Sequence, residues 1–198
     1  HYPGETHALA KALGRAFDAT LIVPFFIEGG RITAHDIHYV AEGDSLTPAA
    51  ETEYARDPVF GYTSADLRGW VSEKHGGAIA PTEVISITIE DIRVGGPEAV
   101  ARKLLGLCSV PSMPPSDVGI RETTGHVCVV NAVSYRDLEV AVAGILDAER
   151  HGCRFMYRTA ASFVRVRGGI APRPLLTHAD LVSTRHEGGL VVVGSHVR

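Results

Sequence analysis

Two arginines follow apolar runs of the sequence that have the composition of buried strands. Arg31 comes after the run 19–26 and a Glu-Gly-Gly turn, and Arg158 directly follows the run 154–157. A guanidinium group can donate two parallel hydrogen bonds to a carboxylate or a phosphate. Because ligands of open α/β sheets bind beyond the carboxyl ends of the strands, these two positions indicate a site for an anion.

Other strand ends are polar as well, and a structural explanation competes with a functional one at each of them. Asn131 follows the run 127–130, and Ser162 lies a short distance after Arg158. Polar residues are expected at the surface ends of strands without any ligand. For Arg158 a ligand contact stays open, because the apolar run before it gives a charged side chain no packing reason to be there.

Spacing does not indicate metal or phosphate-loop chemistry. His35 and His38 form an HxxH pair, but in the predicted strand 32–40 residues three apart point to opposite faces, which argues against a shared metal ion. Neither GxxxxGK[ST] nor GxGxxG is present. Several carboxylates lie in the segment 42–64, which is predicted to be a long loop where solvated side chains are the simpler interpretation.

Helix and strand patterns alternate along the chain. Strands are predicted at 19–26, 32–40, 83–87, 127–130, 154–157 and 190–193, and helices at 5–17, 64–74, 96–107, 134–151 and 160–166. This alternation predicts a single domain over residues 1–198 with the fold class α/β: three layers, with a mostly parallel sheet flanked by helices. The segment 32–40 is predicted to add an antiparallel piece.

Some of the helix predictions are specific enough to be tested residue by residue. Leu9, Leu13 and Phe17 recur every four residues and predict the buried face of the helix 5–17. Ser134 and Ser64 each precede an amphipathic stretch and are predicted N-caps.

Composition excludes several classes of protein. The 198 residues include 19 Lys and Arg against 23 Asp and Glu, so the net charge of −4 lacks the basic footprint of a nucleic-acid binder. The apolar runs are too short to cross a membrane, and no secretory signal follows the first residue. Three widely spaced cysteines without a CxxC pair argue against a disulfide scaffold or a structural zinc site, and they favour a reducing, cytoplasmic compartment.

Five strings of the sequence, taken together and in order, resemble the four-carbon acid sugar kinase family. They are FFIEGGRIT at 25–33, HYV at 38–40, ETEYARDP at 51–58, FMYRTAASF at 155–163 and GLVVVGSHV at 189–197. The matches extend over nearly the whole chain. The family's opening Asp-Asp-x-Thr-Gly and Asp-Ser-Thr-Leu-Arg-Gly segments are absent, and the chain starts without methionine, so we expect a piece of a longer protein.

The resemblance implies a function and a set of partners. Such kinases join an N-terminal acid-sugar-binding domain to a C-terminal nucleotide-binding domain, and they phosphorylate threonate, erythronate or 3-oxo-tetronate with ATP and Mg²⁺. This chain would be the substrate-binding part, inactive alone, with ATP and Mg²⁺ bound mainly by a domain that it lacks. A sugar acid is the expected small-molecule partner, and a homodimer is a possible assembly.

The resemblance also implies roles for individual residues. The predicted substrate-binding residues are Arg31, Thr52, Asp57, Asn131, Arg158 and Ser162, and those on the nucleotide side are Ser195 and His196. The arginines would bind the carboxylate, and Asp57 and Asn131 would bind hydroxyl groups. Many relatives have Asp at the position of Asn131, and an Asn cannot serve as a base. No catalytic base and no metal ligand are identified.

Two alternatives to the kinase stay open. One is a binding module that senses a small organic acid without catalysing a reaction, which would explain the missing nucleotide motifs. The other is a domain that is kept for assembly. Addition of sugar acid and of ATP with Mg²⁺ distinguishes the three, because a kinase needs both, a sensor binds the acid alone, and an assembly domain binds neither.

Overall fold

A computed structural model of the protein describes residues 2–108, 125–174, 176–181 and 192. Ser195, His196 and, apart from Val192, the strand predicted at 190–193 lie outside the described residues. The described strands are β1 (Ala19–Val23), β2 (Arg31–Ala34), β3 (Ile37–Glu42), β4 (Ser45–Pro48), β5 (Ile85–Ile87), β6 (His126–Val130) and β7 (Phe155–Thr159). The described helices are α1 (Gly4–Leu13), α2 (Leu67–Lys74), α3 (Ile89–Arg93), α4 (Gly96–Cys108), α5 (Tyr135–Arg150), α6 (Ala161–Arg167) and α7 (His178–Leu181).

The central sheet contains four parallel strands in the order β5–β6–β1–β7. In this register Leu21 of β1 lies between Cys128 of β6 and Tyr157 of β7. All five residues of β1 are buried, as expected for the inner strand of a parallel sheet whose two faces are both covered. Burial on both faces of the sheet therefore explains why this strand is an apolar run in the sequence rather than an alternation of apolar and polar residues.

Helices cover both faces of the parallel sheet. Leu21 and Val23 belong to a core that is shared with α3, α4, α5 and α6. Ile22, which points the other way, packs in a second core with Trp70 and Val71 of α2. The three-layer α/β fold predicted from the alternation of strands and helices is therefore confirmed.

The helix termini show where local sequence signals are sufficient. The side chain of Ser134 accepts a hydrogen bond from the N–H of Asp137 at 3.2 Å, so its predicted N-cap role is confirmed. The prediction for Ser64 is wrong, because α2 begins later and Asp66 accepts from the N–H of Arg68 at 2.8 Å. The carboxylate two residues further along offers the stronger acceptor for the free N–H groups of the first turn.

The predicted buried face of the first helix is also wrong. Leu9 and Leu13 are 48% and 46% exposed, whereas Thr6 and Ala10 are buried. The helix ends before Phe17, at Gly14, which adopts a left-handed conformation with φ 60°. Such a glycine terminates a helix, so the pattern of leucines at four-residue spacing never extends to Phe17.

The predicted strand 32–40 is a hairpin rather than one strand. β2 and β3 pair antiparallel, and β4 adds a third strand to this second sheet within the predicted long loop. His35 and Asp36 form the turn, with φ values of 52° and 64°. Two-residue hairpin turns favour positive φ at both central positions, usually with glycine or asparagine, and the His-Asp pair hid this signal.

A disulfide bond joins Cys108, at the end of α4, to Cys153, two residues before β7. Three widely spaced cysteines did not predict a scaffold of disulfides, and the chain contains one cross-link rather than several. The two residues are 45 positions apart, and they meet because α4 packs along α5. Cys128 is the free, buried cysteine. None of the helices in the described ranges is long and apolar enough to cross a membrane.

Candidate functional site

A cavity of about 420 Å³ opens where the carboxyl ends of β1 and β7 meet the antiparallel sheet and α2. Its volume lies within the range of about 300–1,000 Å³ that is typical of small-molecule sites. The described lining residues are Ile22, Pro24, Phe26, Arg31, His38, Ala49, Tyr62, Ser64, Ala65, Leu67, Trp70, Arg158, Thr159 and Ala160. Two of the predicted site residues, Arg31 and Arg158, are thus brought together in one cavity.

The charged side chains among the described lining residues of the cavity are all positive. Arg31 and Arg158 contribute two positive charges, and no Asp or Glu stands among the described lining residues. Burial has the largest effect on the pKa of Arg158 and lowers it, whereas Glu5, which is not among the described lining residues, acts on Arg158 as an opposite charge and raises its pKa. Positive charge in the walls of a partly enclosed cavity that no described carboxylate lines favours the binding of an anion.

Arg158 is held in place by aromatic rings. Its guanidinium carbon lies 4.9 Å from the centroid of the Trp70 ring and 5.6 Å from that of Tyr2. Trp70 and Tyr2 are stacked, with centroids 5.2 Å apart and an interplanar angle of 15°. Burial lowers the pKa of Arg158, but a guanidinium retains its charge at neutral pH. Ring faces attract the cation without using its N–H donors, which stay available for a ligand.

Arg31 has an aromatic platform of its own. Its guanidinium carbon lies 4.7 Å from the ring centroid of Tyr54, in the short helical segment Glu53–Arg56. Tyr54 belongs to the same motif as Thr52 and Asp57, so the motif contributes to the site through a residue that the sequence analysis did not select.

His38 is the third basic side chain of the cavity, and it is uncharged near neutral pH. The side chain is buried and its Nδ1 shares a hydrogen bond of 3.0 Å with Oγ1 of Thr33. Burial, followed by the positive charges of Arg31 and Arg158, lowers the pKa of His38 to about 4. A neutral imidazole in this position can donate or accept a hydrogen bond without adding charge.

Thr52 and Asp57 lie near the cavity but do not line it. The Thr52 hydroxyl donates to the carbonyl oxygen of Ala49 at 2.7 Å, and a carboxylate oxygen of Asp57 accepts from the N–H groups of Val59 and Phe60, each at 2.8 Å. Both side chains therefore fix turns of the segment that carries Ala49 and Tyr62 to the cavity. Their predicted role in substrate binding stays a prediction.

Asn131 is fully buried at the centre of a polar network. Its side-chain amide donates to the Asp36 carboxylate at 2.8 Å and to the Ile87 carbonyl at 2.9 Å, and its oxygen accepts from the N–H of Asp36 at 2.8 Å. Ser86 donates to the same carboxylate at 2.5 Å. The network connects β5 and β6 to the hairpin turn, and Asn131 is not among the residues that line the cavity.

Ser162 belongs to another cluster at the same edge of the sheet. Ser162 and Tyr135 both donate to the Glu28 carboxylate, at 3.1 Å and 2.5 Å. The hydrogen bond from Tyr135 is the main cause that lowers the pKa of Glu28. Arg165 lies 3.6 Å from the same carboxylate and 4.2 Å from the Tyr135 ring centroid. These contacts hold α5 and α6 to the turn that precedes Arg31.

No group of three or more His, Cys, Asp or Glu within the described residues is arranged to hold a metal ion. The resemblance implies that ATP and Mg²⁺ are bound mainly by a domain outside this chain, and this stays a prediction.

Aromatic residues are the part of the site that sequence reasoning missed. Trp70, Tyr2, Tyr54 and Tyr62 either line the cavity or support its arginines. Trp70 packs in the second core with Ile22 and Val71, and its ring also faces Arg158. The signal that the sequence does offer is the position of Tyr54 and Tyr62 in a segment with few other apolar residues.

Comparison with known proteins gives the family and the fold. A family model described as "Sugar-binding N-terminal domain" matches residues 1–167. A Haemophilus influenzae protein assigned to the family DUF1537 has 20% sequence identity and a TM-score of 0.54, over 83% of this chain and 34% of its own. A Salmonella typhimurium LT2 protein, described provisionally as a tRNA synthase, has the same identity and TM-score, over 83% of this chain and 33% of its own.

These two likenesses support the fold alone, because the identities are low. The chain spans about a third of the length of the solved structures that it matches. Among curated proteins no match is found.

Proposed function

The chain belongs to the family of sugar-binding N-terminal domains, and from this premise we propose that its cavity binds a four-carbon acid sugar. Threonate, erythronate and 3-oxo-tetronate are the expected ligands. The domain would serve as the substrate-binding part of a longer kinase that uses ATP and Mg²⁺. The nucleotide and the metal would be bound outside this chain.

The observation that carries the proposal is the position of Arg158 at a small-molecule cavity that no described carboxylate lines. Its guanidinium is half-buried, rests on Trp70, and faces a cavity without a described carboxylate. Membership in a family of sugar-binding domains and a cavity suited to an anion together favour a sugar with an acid group as the ligand. Arg31 and Arg158, the two motif arginines selected from the sequence, both line this cavity, which supports the same ligand class.

The lining residues suggest how the acid sugar is held. Arg158 would grip the carboxylate with parallel N–H donors. Ser64, Tyr62 and Thr159 bring hydroxyl groups to the cavity that can bond the sugar hydroxyls. Phosphoryl transfer depends mainly on positioning and charge stabilisation, so holding the acceptor sugar in one orientation is a sufficient role for such a domain.

Isothermal titration calorimetry with a matched pair of ligands tests the proposal. Threonate and threitol have four carbons each, but only threonate carries a carboxylate. We expect threonate to bind and threitol to bind much more weakly. Arg158→Gln should weaken threonate binding by about tenfold to a hundredfold, the loss expected for a hydrogen bond to a charged group.

The control variant is Arg136→Gln, which removes the same charge from a side chain that is 84% exposed on α5. It should bind threonate as the unmodified chain does. Equal binding of threonate and threitol, or full threonate affinity in a folded Arg158→Gln variant, would remove the acid group and Arg158 from the proposal.

A non-catalytic organic-acid sensor remains the second candidate. It is favoured by the absence of a carboxylate among the described lining residues and by the low basicity of His38, which leave no evident general base. A protein that contains this domain together with a nucleotide-binding domain distinguishes the two. Threonate-dependent formation of ADP supports the kinase, and threonate binding without ADP formation supports the sensor.

A further inference from the structure

The two arginines of the cavity are positioned independently of each other. Arg31 starts β2 of the antiparallel sheet and rests on Tyr54, whereas Arg158 lies on β7 of the parallel sheet and rests on Trp70. Each guanidinium thus has its own strand and its own aromatic platform.

His38 shows that both charges act on the same enclosed space. Both Arg31 and Arg158 lower the pKa of this buried imidazole, and His38 lines the cavity with them. The remaining titratable residue among the described lining residues is Tyr62, whose pKa burial raises, so it remains a neutral phenol. The described walls therefore provide two positive charges and no negative one, and Glu5 acts on Arg158 from outside these walls.

Two arginines in the walls of one cavity that no described carboxylate lines favour a ligand that brings negative charge to both of them. A ligand with one negative charge leaves one arginine without a partner. We propose that the preferred ligand of this cavity carries two anionic groups, one for Arg31 and one for Arg158. This inference rests on the proposed acid-sugar function and specifies its ligand class further.

Two kinds of acid sugar have this chemistry. A dicarboxylate has an acid group at each end, and a phosphorylated acid sugar has a carboxylate at one end and a phosphate at the other. In the second case the cavity would hold the product of a sugar-acid kinase more tightly than its substrate. Arginine binds both kinds of group through the same planar arrangement of donors.

Calorimetry with three four-carbon ligands tests the inference. Threonate carries one anionic group, tartrate carries a carboxylate at each end, and 4-phosphoerythronate carries a carboxylate and a phosphate. At neutral pH and about 0.1 M salt, where long-range charge effects are screened, at least one two-ended ligand should bind about tenfold more tightly than threonate. Arg31→Gln and Arg158→Gln should each reduce this advantage to near unity, and Arg136→Gln should preserve it.

Each outcome has a distinct meaning. Tighter binding of tartrate alone identifies a dicarboxylate, and tighter binding of 4-phosphoerythronate alone identifies a phosphorylated acid. Threonate binding as tightly as both two-ended ligands overturns the two-anion inference and leaves the acid-sugar function intact. Binding of none of the three overturns the acid-sugar function itself. The comparison of ligands needs only the unmodified chain, so it does not depend on how the variants fold.

Discussion

Arg158 and Trp70 come from different layers of the fold, and their contact joins the parallel sheet to α2 at the mouth of the cavity. The guanidinium carbon lies 4.9 Å from the ring centroid, within the distance at which a cation is attracted to the face of an indole. The contact explains how a charged side chain can follow an apolar strand. The ring supports the charge from one side, and the cavity leaves the other side to a ligand.

Replacing Trp70 should therefore weaken the binding of an acid sugar. Trp70→Leu retains an apolar side chain but removes the ring face, and a cation–π contact contributes about 0.5–2 kcal/mol, so we expect roughly a 2- to 30-fold loss of threonate affinity. Trp70→Phe is the matched control, because it keeps an aromatic face and should lose less. Full affinity in a folded Trp70→Leu variant, measured by calorimetry, would show that the ring does not position Arg158.

The buried imidazole of His38 predicts a pH dependence of stability. Its pKa is lowered from 6.5 to about 4, so in the range between these values the unfolded chain binds a proton that the folded chain does not. Above pH 6.5 His38 is neutral in both states and does not lower the free energy of unfolding. As the pH falls from 6.5 towards 4, the unfolded chain takes up the proton first, so the free energy of unfolding decreases. The loss of unfolding free energy should be on the order of 2–3 kcal/mol.

Urea denaturation at a series of pH values, with His38→Gln as the comparison, measures this effect. The variant should show a smaller decrease between pH 6.5 and 4. Below that range both proteins should lose stability in parallel, because the carboxyl groups of Asp91 and Asp137, with their lowered pKa values, become protonated. Identical curves for the two proteins above pH 4 would contradict a neutral, buried His38.

The layers of this fold could be predicted from the sequence, but the contacts between elements that are distant in the sequence could not. The parallel sheet and α5 with its Ser134 cap were predictable because apolar periodicity and capping act within one element. The His35–Asp36 turn was not, because neither residue is the glycine or asparagine typical of such turns, and Asp36 is held by hydrogen bonds with Asn131 and Ser86, far away in sequence. Long-range contacts of this kind leave no local pattern.

Some residues of the candidate site could likewise be predicted from the sequence, and others could not. Arg31 and Arg158 could be selected from the sequence because each follows an apolar run and lies in a string that resembles the kinase family. The support of these arginines by Tyr54 and Trp70 could not, because it depends on how the second sheet and α2 pack against the first sheet. His38 was dismissed as a metal ligand on strand geometry, and its position in the cavity appears only once the hairpin is formed.

Two glycines make a matched test of how α4 and α5 pack. A Cβ atom at Gly144 would lie 2.6 Å from the Pro97 carbonyl oxygen and 2.8 Å from a methyl carbon of Val100, whereas a Cβ at Gly106 meets nothing within 4 Å. Gly144→Ala should destabilise the fold by about 1–3 kcal/mol through overpacking. Gly106→Ala should stabilise it by up to about 1 kcal/mol through helix propensity. Chemical denaturation that shows the same sign for both would contradict this close approach of the two helices.

The disulfide between Cys108 and Cys153 should stabilise the fold against unfolding. It closes a loop of 45 residues, for which the loss of chain entropy in the unfolded state amounts to about 4 kcal/mol, with about 2–4 kcal/mol typical of measured cases. A reductant should lower the unfolding free energy by that amount and should leave a Cys108→Ser/Cys153→Ser variant unchanged.

Cys128 supplies the control for this measurement. It is fully buried and burial raises the pKa of its thiol to about 12, so it should not react with a thiol reagent in the native state. Cys128→Ala should stay as sensitive to reductant as the unmodified chain. An unfolding curve of the unmodified chain that does not respond to reductant would show that the cross-link does not form in solution.

Asn131 gives the sharpest test of the polar network behind the site. Asn131→Ala leaves the Asp36 N–H without its partner, at a cost of about 1–3 kcal/mol for a buried group, whereas the Ile87 carbonyl keeps the hydrogen bond from the backbone N–H of residue 131. Asn131→Asp instead places a second carboxylate where the amide nitrogen stood, 2.8 Å from the Asp36 oxygen. Two carboxylates so close cannot both ionise, so the pKa of one of them is raised in the folded state.

The sign of the pH dependence follows from that repulsion. The unmodified chain should lose stability as the pH falls from 7 to 5, because of His38. The Asn131→Asp variant keeps His38, but a carboxyl group with a raised pKa contributes the opposite trend, so the variant should lose less stability over this range than the unmodified chain. Threonate affinity measured near pH 5, where the variant is folded, also tests the predicted contact between Asn131 and the substrate hydroxyls. Unchanged affinity assigns Asn131 to the support of the hairpin turn, and a loss without a change in stability assigns it to the ligand.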